Sequence, residues 1–197
     1  MLHRAVNYAG CDDDNYIVKC IMGISEFQGN AATNYGARTE VIAKRLYAQH
    51  MTKKHTNSLV TDCGLLISKS NPIFRATPDA TVSCSCCGTG LVEIKCPYTN
   101  SIKKDLNGYE IGKLGNYHVT LNHDGDVKLK LSSPWYTQIQ CQLGVSDYPW
   151  CDFVMYTKKA PWITVERIYF NKEMYEKLTA KAMSFYDKFI MPKFNQD

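Results

Sequence analysis

Hydrophobic positions along the chain change their spacing near residue 58, from a helical period to short runs typical of strands. In residues 31–51, apolar Val41, Leu46 and Tyr47 recur at helical spacing, and charged residues interrupt them. This pattern predicts a first helix over residues 31–51. The preceding residues 20–27 favour no single type of element.

Three β-type runs follow the predicted helix, in residues 59–68, 73–83 and 91–96. They are separated by the turn-forming segments Ser70-Asn71-Pro72 and Gly88-Thr89-Gly90. Because each run is short and bounded by turn residues, we predict a meander of three strands.

A two-stranded ribbon and a second helix are predicted next. Residues 117–121 and 127–131 flank Asn122-His123-Asp124-Gly125, whose Asp-Gly pair is a strong hairpin signal. Ser132-Ser133-Pro134 then offers serine caps and an early proline, which are typical of a helix start. Residues 135–145 continue at helical spacing, with Gln138 and Gln142 one turn apart.

The last part of the chain predicts an antiparallel pair and a closing helix. Residues 151–157 and 163–170 have the composition of strands, and Asn171 is a cap for a helix that runs to about residue 190, before Pro192. The resulting order is helix, three strands, ribbon, helix, two strands, helix. It predicts an α/β or α+β fold with a mixed central β-sheet flanked by helices and a β-ribbon insertion.

The composition limits the classes of protein to which the chain can belong. A chain of 197 residues suits one domain, and we expect a single domain over residues 1–197 because no repeat or linker interrupts it. Hydrophobic residues make up 45% and charged residues 21%, which excludes a disordered or fibrous chain. No run of about eighteen apolar residues occurs, and residues 1–14 lack a signal-peptide pattern, so we expect a soluble intracellular protein with no membrane partner.

A formal net charge of +4 permits a polyanionic partner without requiring one. The candidate phosphate contacts are lysine pairs, for which solvated surface is the preferred interpretation: Lys53 and Lys54, Lys103 and Lys104, Lys158 and Lys159. Trp135, Trp150 and Trp162 lie in the C-terminal half of the chain. Core packing is favoured for most of them over stacking on DNA bases.

Candidate chemistry lies on two neighbouring predicted strands. Side chains alternate faces along residues 91–96, so Glu93 and Lys95 project from one side. If residues 73–83 pair with this strand as a hairpin, Asp79 lies across from Glu93 or Lys95, at roughly 5 to 8 Å. Two carboxylates and an ammonium would then converge.

Two adjacent carboxylates repel, so this arrangement is best explained by a divalent cation that neutralises them. Carboxylate oxygens favour a hard ion, of which Mg²⁺ is our first choice and Mn²⁺ the second. Such a site could hydrolyse phosphodiesters, with Lys95 positioning or deprotonating water and offsetting phosphate charge. The alternative without a function is that Glu93 and Lys95 form a cross-strand pattern on the surface and that Asp79 is a turn residue after Pro78.

A family resemblance favours the functional interpretation. Thr77-Pro78-Asp79 with Leu91-Val92-Glu93-Ile94-Lys95-Cys96-Pro97 resembles the PD-(D/E)xK nuclease signature of the lambda exonuclease and YqaJ-type viral recombinase family. Three further segments resemble that family, and the similarity covers roughly residues 33–192. These segments are Tyr35-Gly36-Ala37-Arg38-Thr39-Glu40, Trp135-Tyr136-Thr137-Gln138-Ile139-Gln140-Cys141-Gln142-Leu143 and Cys151-Asp152-Phe153-Val154-Met155-Tyr156.

The resemblance implies a restriction-endonuclease-like fold and a set of metal ligands. Asp79 and Glu93 would bind one or two Mg²⁺ ions, for which Mn²⁺ can substitute, and the Ile94 carbonyl would be a further ligand. Lys95 would be the catalytic lysine, and Glu40 a supporting acid near a second metal, although an exposed helix carboxylate is the alternative for Glu40.

The resemblance also implies substrate contacts. Gln138 would hold substrate or the attacking water through its amide, which can both donate and accept. Thr77 and Tyr136 would bind substrate, whereas Gln140 and Gln142 are assigned structural roles. The implied partners are ends of double-stranded DNA and a single-strand annealing protein, and the implied assembly is a homo-oligomeric trimeric ring.

The chain departs from the family pattern in two places. Thr77 stands where the family often has serine, and Ala80 where it often has glycine, so the hydroxyl is retained but the most permissive turn residue is lost. The family's N-terminal helix, whose arginine captures a 5′ phosphate and is followed by a serine, has no recognisable counterpart in residues 1–30. Arg4 and Ser25 are the loose candidates.

Our first hypothesis is therefore an exonuclease that digests duplex DNA from an end, 5′ to 3′ by resemblance, in recombination or repair. A structure-specific or nicking endonuclease of the same fold is the second, because the end-binding helix is unrecognised. A non-catalytic DNA-binding or assembly module is the third, and a zinc-binding interaction protein is the fourth.

The zinc hypothesis comes from the cysteines. Nine are present, an odd number with irregular spacing, and several lie in apolar runs where free thiols pack well, so reduced cysteines are expected. Cys84, Cys86 and Cys87 could bind zinc, but structural zinc sites usually draw ligands from two separate places. The sequence has no second Cys-x-x-Cys or His-x-x-x-His, although Cys63 or a histidine could join in space. A cysteine-rich hairpin turn is the preferred interpretation.

Overall fold

A computed structural model of the protein describes residues 14–23 and 29–194. The helices are α1 (Asp14–Ile21), α2 (Ala31–Lys54), α3 (Gly108–Lys113), α4 (Pro134–Ser146), α5 (Lys172–Phe185) and α6 (Met191–Phe194), with π-helical turns at Thr99–Lys103 and Tyr186–Ile190. The strands are β1 (Leu59–Asp62), β2 (Leu66–Ile67), β3 (Arg75–Ala76), β4 (Ala80–Cys84), β5 (Gly88–Lys95), β6 (Val119–Leu121), β7 (Val127–Leu129), β8 (Trp150–Tyr156) and β9 (Ile163–Tyr169). None of the helices in the described ranges is long and apolar enough to cross a membrane.

Five strands form a mixed central sheet in the order β1-β4-β5-β8-β9. Neighbouring strands are antiparallel except β5 and β8, which are parallel. Helix α2 packs on one face, where Tyr47 and Met51 meet Val92 and Val154. Helix α4 and the ribbon β6–β7 cover the other face. The predicted mixed sheet with flanking helices and a ribbon insertion is confirmed.

The predicted helices agree with the structure, because their caps are chemically well defined. The first starts at residue 31 as expected and ends three residues later than predicted, and Asn30 accepts hydrogen bonds from the N–H groups of Ala32 and Thr33. Ser133 caps α4 and Asn171 caps α5 in the same way. The closing helix passes through the π-helical turn, and helical structure continues beyond residue 190 to residue 194.

The prediction of two continuous strands was wrong, because each of these runs is divided in the structure. The run 59–68 divides into β1 and β2, and the run 73–83 divides into β3 and β4. Pro78 lies in the second break, where it has no N–H to donate to a neighbouring strand. The short strands β2 and β3 pair with each other beside the main sheet. The meander is therefore β1-β4-β5, with the β2–β3 hairpin inserted.

Sequence patterns also missed two helices. Helix α3 begins with a capping box, in which Asn107 Oδ1 accepts from Glu110 N–H and Glu110 Oε2 accepts from Asn107 N–H. The Asn-x-x-Glu spacing was the available signal. Helix α1 ends at Ile21, within residues 20–27, the segment without a clear pattern, and residues 24–28 lie outside the described part of the chain.

A buried ionic network joins α2 to the sheet. Asp152 in β8 is 2% exposed, and its carboxylate accepts from Tyr47 Oη at 2.6 Å and from Arg167 Nε at 2.8 Å. The Arg167 guanidinium also stacks 3.6 Å from the centre of the Trp150 ring. Trp150 is buried, which confirms the packing interpretation for this tryptophan, whereas Trp162 is more than half exposed.

The close contact between Trp150 and β5 gives a stability prediction. A Cβ built on Gly90 would lie 2.3 Å from a carbon of the Trp150 ring, so Gly90→Ala should displace the ring and its Arg167 partner. Overpacking of this kind costs roughly 1–3 kcal/mol of unfolding free energy, measurable by chemical denaturation. Gly64→Ala is the matched control, because no heavy atom lies within 4 Å of its added Cβ. Equal stability of the two variants would contradict the packing described.

Candidate active site

Adjacent strand ends bring Asp79 and Glu93 together. Ala80 pairs with Val92 across β4 and β5, so the preceding Asp79 lies opposite Glu93. The N–H of Asp79 donates to Val92 O at 3.2 Å, and its carboxylate accepts from the N–H of Ile94 at 2.6 Å. These two bonds, one on each side of Glu93, hold Asp79 at the end of β5.

Glu93 is a buried carboxylate with three side-chain donors. It is 1% exposed and lies in β5 on the sheet face covered by α4. Its Oε1 accepts from Lys95 Nζ at 2.5 Å and from Gln138 Nε2 at 2.7 Å, and its Oε2 accepts from Gln142 Nε2 at 2.7 Å. The predicted shared face of Glu93 and Lys95 is thus confirmed, and a charge that would be costly to bury alone is fully partnered.

Burial and charge change the proton affinity of Asp79. Desolvation and the neighbouring Glu93 carboxylate raise the pKa of Asp79 to about 7, against the opposing effects of the Ile94 N–H and Lys95. Glu40 contributes a further increase to the pKa of Asp79. Burial and repulsion from the Glu93 carboxylate therefore disfavour the ionised form of Asp79 unless a cation binds between the two groups.

Lys95 is the cation of the cluster. Burial lowers its pKa, but the Glu93 and Asp79 carboxylates outweigh this effect, so the net shift of the Lys95 pKa is upward. Its Nζ also donates to Gln138 Oε1 at 3.1 Å and lies 6.0 Å from the centre of the Trp135 ring. Lys95 is thereby held between the carboxylate, the amide and an aromatic ring.

Helix α4 supplies both amides that contact Glu93. Gln138 and Gln142 are four residues apart, so they project from one face of the helix. Within the described residues, Gln142 Oε1 is the one buried side-chain oxygen or nitrogen without a hydrogen-bond partner. Gln140 faces elsewhere and joins Tyr169 O to Asn171 N–H. Gln138 was predicted from the sequence as a site residue, whereas Gln142 was predicted to be structural and its contact with Glu93 was not foreseen.

The remaining candidate residues lie at different distances from the cluster. Glu40 in α2 is near enough to raise the pKa of Asp79, and it pairs with Lys44 at 3.6 Å. Thr77 is exposed two residues before Asp79. The Tyr136 side chain faces Gln140 and Glu166, so the structure does not bring it to Glu93. Arg4 and Ser25 lie outside the described residues.

The donor set suits a hard divalent cation. Asp79 and Glu93 offer carboxylate oxygens and Ile94 offers a backbone carbonyl beside them, which are oxygen ligands of the kind that Mg²⁺ and Mn²⁺ bind. Burial and the neighbouring Glu93 carboxylate raise the pKa of Asp79, so a cation bound between the two groups would favour the ionised form of Asp79. The free Gln142 Oε1 can also accept from water, which Mg²⁺ retains when it binds. The residues present therefore fit such an ion.

Comparison with known proteins places the chain in a family. Residues 12–149 match the YqaJ-like viral recombinase domain, which is most of the chain, and the protein belongs to this family. The family predicted from the Thr77-Pro78-Asp79 and Glu93-Ile94-Lys95 segments is thereby confirmed. No curated protein sequence matches the chain.

Solved structures share the fold. The chain is similar to the crystal structure of LHK-Exo in complex with dAMP, at a TM-score of 0.66 and 24% identity over 95% of this chain and 85% of that chain. It is similar to the alkaline exonuclease LHK-Exo from Laribacter hongkongensis, with a TM-score of 0.64 and 23% identity over 95% and 86%. A phage-related exonuclease from Haemophilus somnus 129PT aligns with a TM-score of 0.56 and 14% identity over 98% and 93%.

Proposed function

We propose that this protein is a divalent-metal-dependent deoxyribonuclease that digests duplex DNA from an end, 5′ to 3′, in recombination or repair. The observation that carries the proposal is the buried Glu93 carboxylate, bound by Lys95 and two glutamine amides and placed beside Asp79. Membership of a viral recombinase family supports it, as does a fold shared with structures described as exonucleases. We further propose a single-strand annealing protein as the functional partner.

Metal binding falls to the residues at the strand ends. Asp79, Glu93 and the Ile94 carbonyl would hold Mg²⁺, or Mn²⁺ in its place, and Glu40 would assist at a second ion. The bound ion supplies Lewis acidity to a phosphoryl oxygen and acidity to a water molecule. Glu93 keeps a fixed orientation for this role because both of its oxygens are already bonded to side-chain donors.

The other cluster residues act on substrate and water. Lys95 carries a positive charge beside the carboxylates, so it offsets the charge that builds on the scissile phosphate. Gln138 donates to Glu93 and accepts from Lys95, which orients its amide for contact with the attacking water or the substrate. Thr77, exposed before Pro78, presents a hydroxyl to the DNA backbone, and a substrate contact for Tyr136 remains a prediction from resemblance.

Substitution of the cluster should separate catalysis from folding. Asp79→Ala, Glu93→Ala and Lys95→Ala should each lower digestion of linear duplex DNA by more than about 100-fold, because each removes a metal ligand or the charge near the phosphate. The measurement is release of acid-soluble nucleotides with Mg²⁺, beside circular dichroism for folding. Glu173→Ala, an exposed carboxylate in α5, should retain full activity. Undiminished digestion by all three cluster variants would reject the site.

The form of the DNA tests the direction and the end requirement. Linear duplex should be digested with Mg²⁺, whereas covalently closed circular duplex should survive because it has no end. Duplexes labelled at the 5′ or the 3′ terminus, each with a 5′ phosphate or a 5′ hydroxyl, should release the 5′ label first. Cleavage of closed circles would instead favour the endonuclease hypothesis, and Ca²⁺-supported binding without cleavage in Mg²⁺ would favour a binding module.

Gln142 should act as a positioning residue for Glu93. Gln142→Leu removes the donor to Glu93 Oε2, so the Mg²⁺ concentration for half-maximal activity should rise by roughly 10–100-fold while KM for DNA stays unchanged. Gln140→Leu is the matched control on the same helix, because Gln140 bonds to the backbone of Tyr169 and Asn171 and to the Tyr136 side chain rather than to Glu93. That control should lower stability and leave the Mg²⁺ dependence unaltered. The same Mg²⁺ dependence in both variants would contradict the role of Gln142.

A further inference from the structure

A second cluster of ligand-type side chains lies at the tip of the β4–β5 hairpin. His55, at the C-terminal end of α2, contributes Nδ1, and the hairpin contributes the sulfurs of Cys84, Cys86 and Cys87. All four ligand atoms lie within 4.8 Å of one another. The nuclease proposal makes no use of these residues.

The fold brings a zinc ligand from a second place in the sequence to these cysteines. Cys84 and Cys87 form a Cys-x-x-Cys pair in a tight turn, with Cys86 between them. The preferred interpretation of a cysteine-rich turn rested on the lack of a ligand from a second place. The fold provides that ligand, because His55 lies twenty-nine residues before Cys84 and meets it in space.

Five of the six distances between the ligand atoms are close to the edges of a tetrahedron around a single ion, and the sixth, between the sulfurs of Cys84 and Cys87, is within 4.8 Å. Zinc with bonds of about 2.3 Å to sulfur and about 2.0–2.1 Å to nitrogen has tetrahedral edges of about 3.8 Å between sulfurs and about 3.6 Å between sulfur and nitrogen. The Cys84–Cys86 and Cys86–Cys87 sulfurs are 3.5 and 3.7 Å apart. His55 Nδ1 is 3.7, 3.1 and 3.5 Å from the sulfurs of Cys84, Cys86 and Cys87. Ligand atoms this close leave no room for a cluster of several metal ions.

Ordinary thiol packing does not explain the arrangement. Free cysteines favour buried apolar surroundings, yet Cys86 is exposed, and Cys87 and His55 are only partly buried. A disulfide would use two of the three sulfurs and leave the third with His55 unexplained. Softer sulfur and imidazole ligands select zinc, whereas the oxygen ligands at Asp79 and Glu93 select Mg²⁺.

We propose that His55, Cys84, Cys86 and Cys87 form a structural Zn²⁺ site. Four protein ligands fill the tetrahedron and leave no position for water or substrate, so the site is closed and does not take part in catalysis. The hairpin tip is also five residues from Glu93 along β5, or roughly 17 Å. The proposed function of the strand ends does not depend on this site being correct.

The ion would fasten α2 to the β4–β5 hairpin. The turn that follows α2 is already bonded to the hairpin, from Ser85 N–H to Thr56 O at 3.0 Å and from Asn57 Nδ2 to Ser85 Oγ at 3.2 Å. Helix α2 carries Glu40, the hairpin carries Glu93, and Asp79 immediately precedes β4. A metal link at one end of these elements therefore stabilises the relative placement of the acidic residues at the other end.

Metal analysis of the unaltered protein is the first test. Protein purified under reducing conditions should contain about one zinc per chain by elemental mass spectrometry. Replacement by Co²⁺ should give the intense visible absorption of tetrahedral cobalt with charge-transfer bands from thiolate. A reduced, folded protein that is free of zinc and does not bind added zinc would overturn the proposal. Iron with acid-labile sulfide would overturn it equally.

Matched variants locate the metal. Cys86→Ser and His55→Gln should weaken zinc binding by at least about 100-fold and lower the melting temperature, because each removes a direct ligand. The controls Cys63→Ser and His123→Gln should retain one zinc, since Cys63 lies outside the cluster and the His123 side chain is fully exposed. Loss of zinc in the controls alone would refute the assignment.

Another variant separates the two metal sites. Asp79→Ala combined with Glu93→Ala should abolish nuclease activity yet retain one zinc per chain and its cobalt spectrum. If zinc disappears with these carboxylates, the ion belongs to the strand ends and the Cys-His site is wrong. If zinc remains but Cys86→Ser also retains it, the cysteine cluster is likewise rejected.

Discussion

The buried carboxylate of Glu93 is the constraint on which the arrangement of the site depends. An ionised group in an apolar interior is tolerated only when its oxygens are bonded, and here the donors come from β5 itself and from α4. The need for those donors explains why a helix with two glutamines covers this face of the sheet. Asp79, the next carboxylate, is held by the backbone N–H of Ile94.

The alternation of side chains along β5 places the site residues on one face of the sheet and the packing residues on the other. Val92 and Ile94 point toward α2 and join its apolar cluster, while Glu93 and Lys95 point toward α4. A shift of one residue in the pairing of β5 would exchange these faces and place the carboxylate among aliphatic side chains. The five-residue register with β8 and the tight contact of Trp150 with Gly90 both resist such a shift.

Much of this molecule was predictable from local signals, whereas contacts between distant parts of the chain were not. Capped helices, the Asp-Gly ribbon turn and the common face of Glu93 and Lys95 follow from spacing over a few residues. Residues 73–83 were predicted as one strand, although Pro78 within them has no N–H to donate to a neighbouring strand. The contacts of Gln142 and of His55 require parts of the chain that are distant in sequence, so periodicity could not reveal them.

Parallel pairing of β5 with β8 has a consequence for how the family can diversify. The connection between them spans residues 96–149 and includes α3, the ribbon and α4. The entropy of closing a connection grows only with the logarithm of its length, by about 0.6 kcal/mol per doubling. Insertions in this crossover therefore cost little folding free energy, so relatives can lengthen or trim it and acquire new binding surfaces while the β5–β8 register is retained.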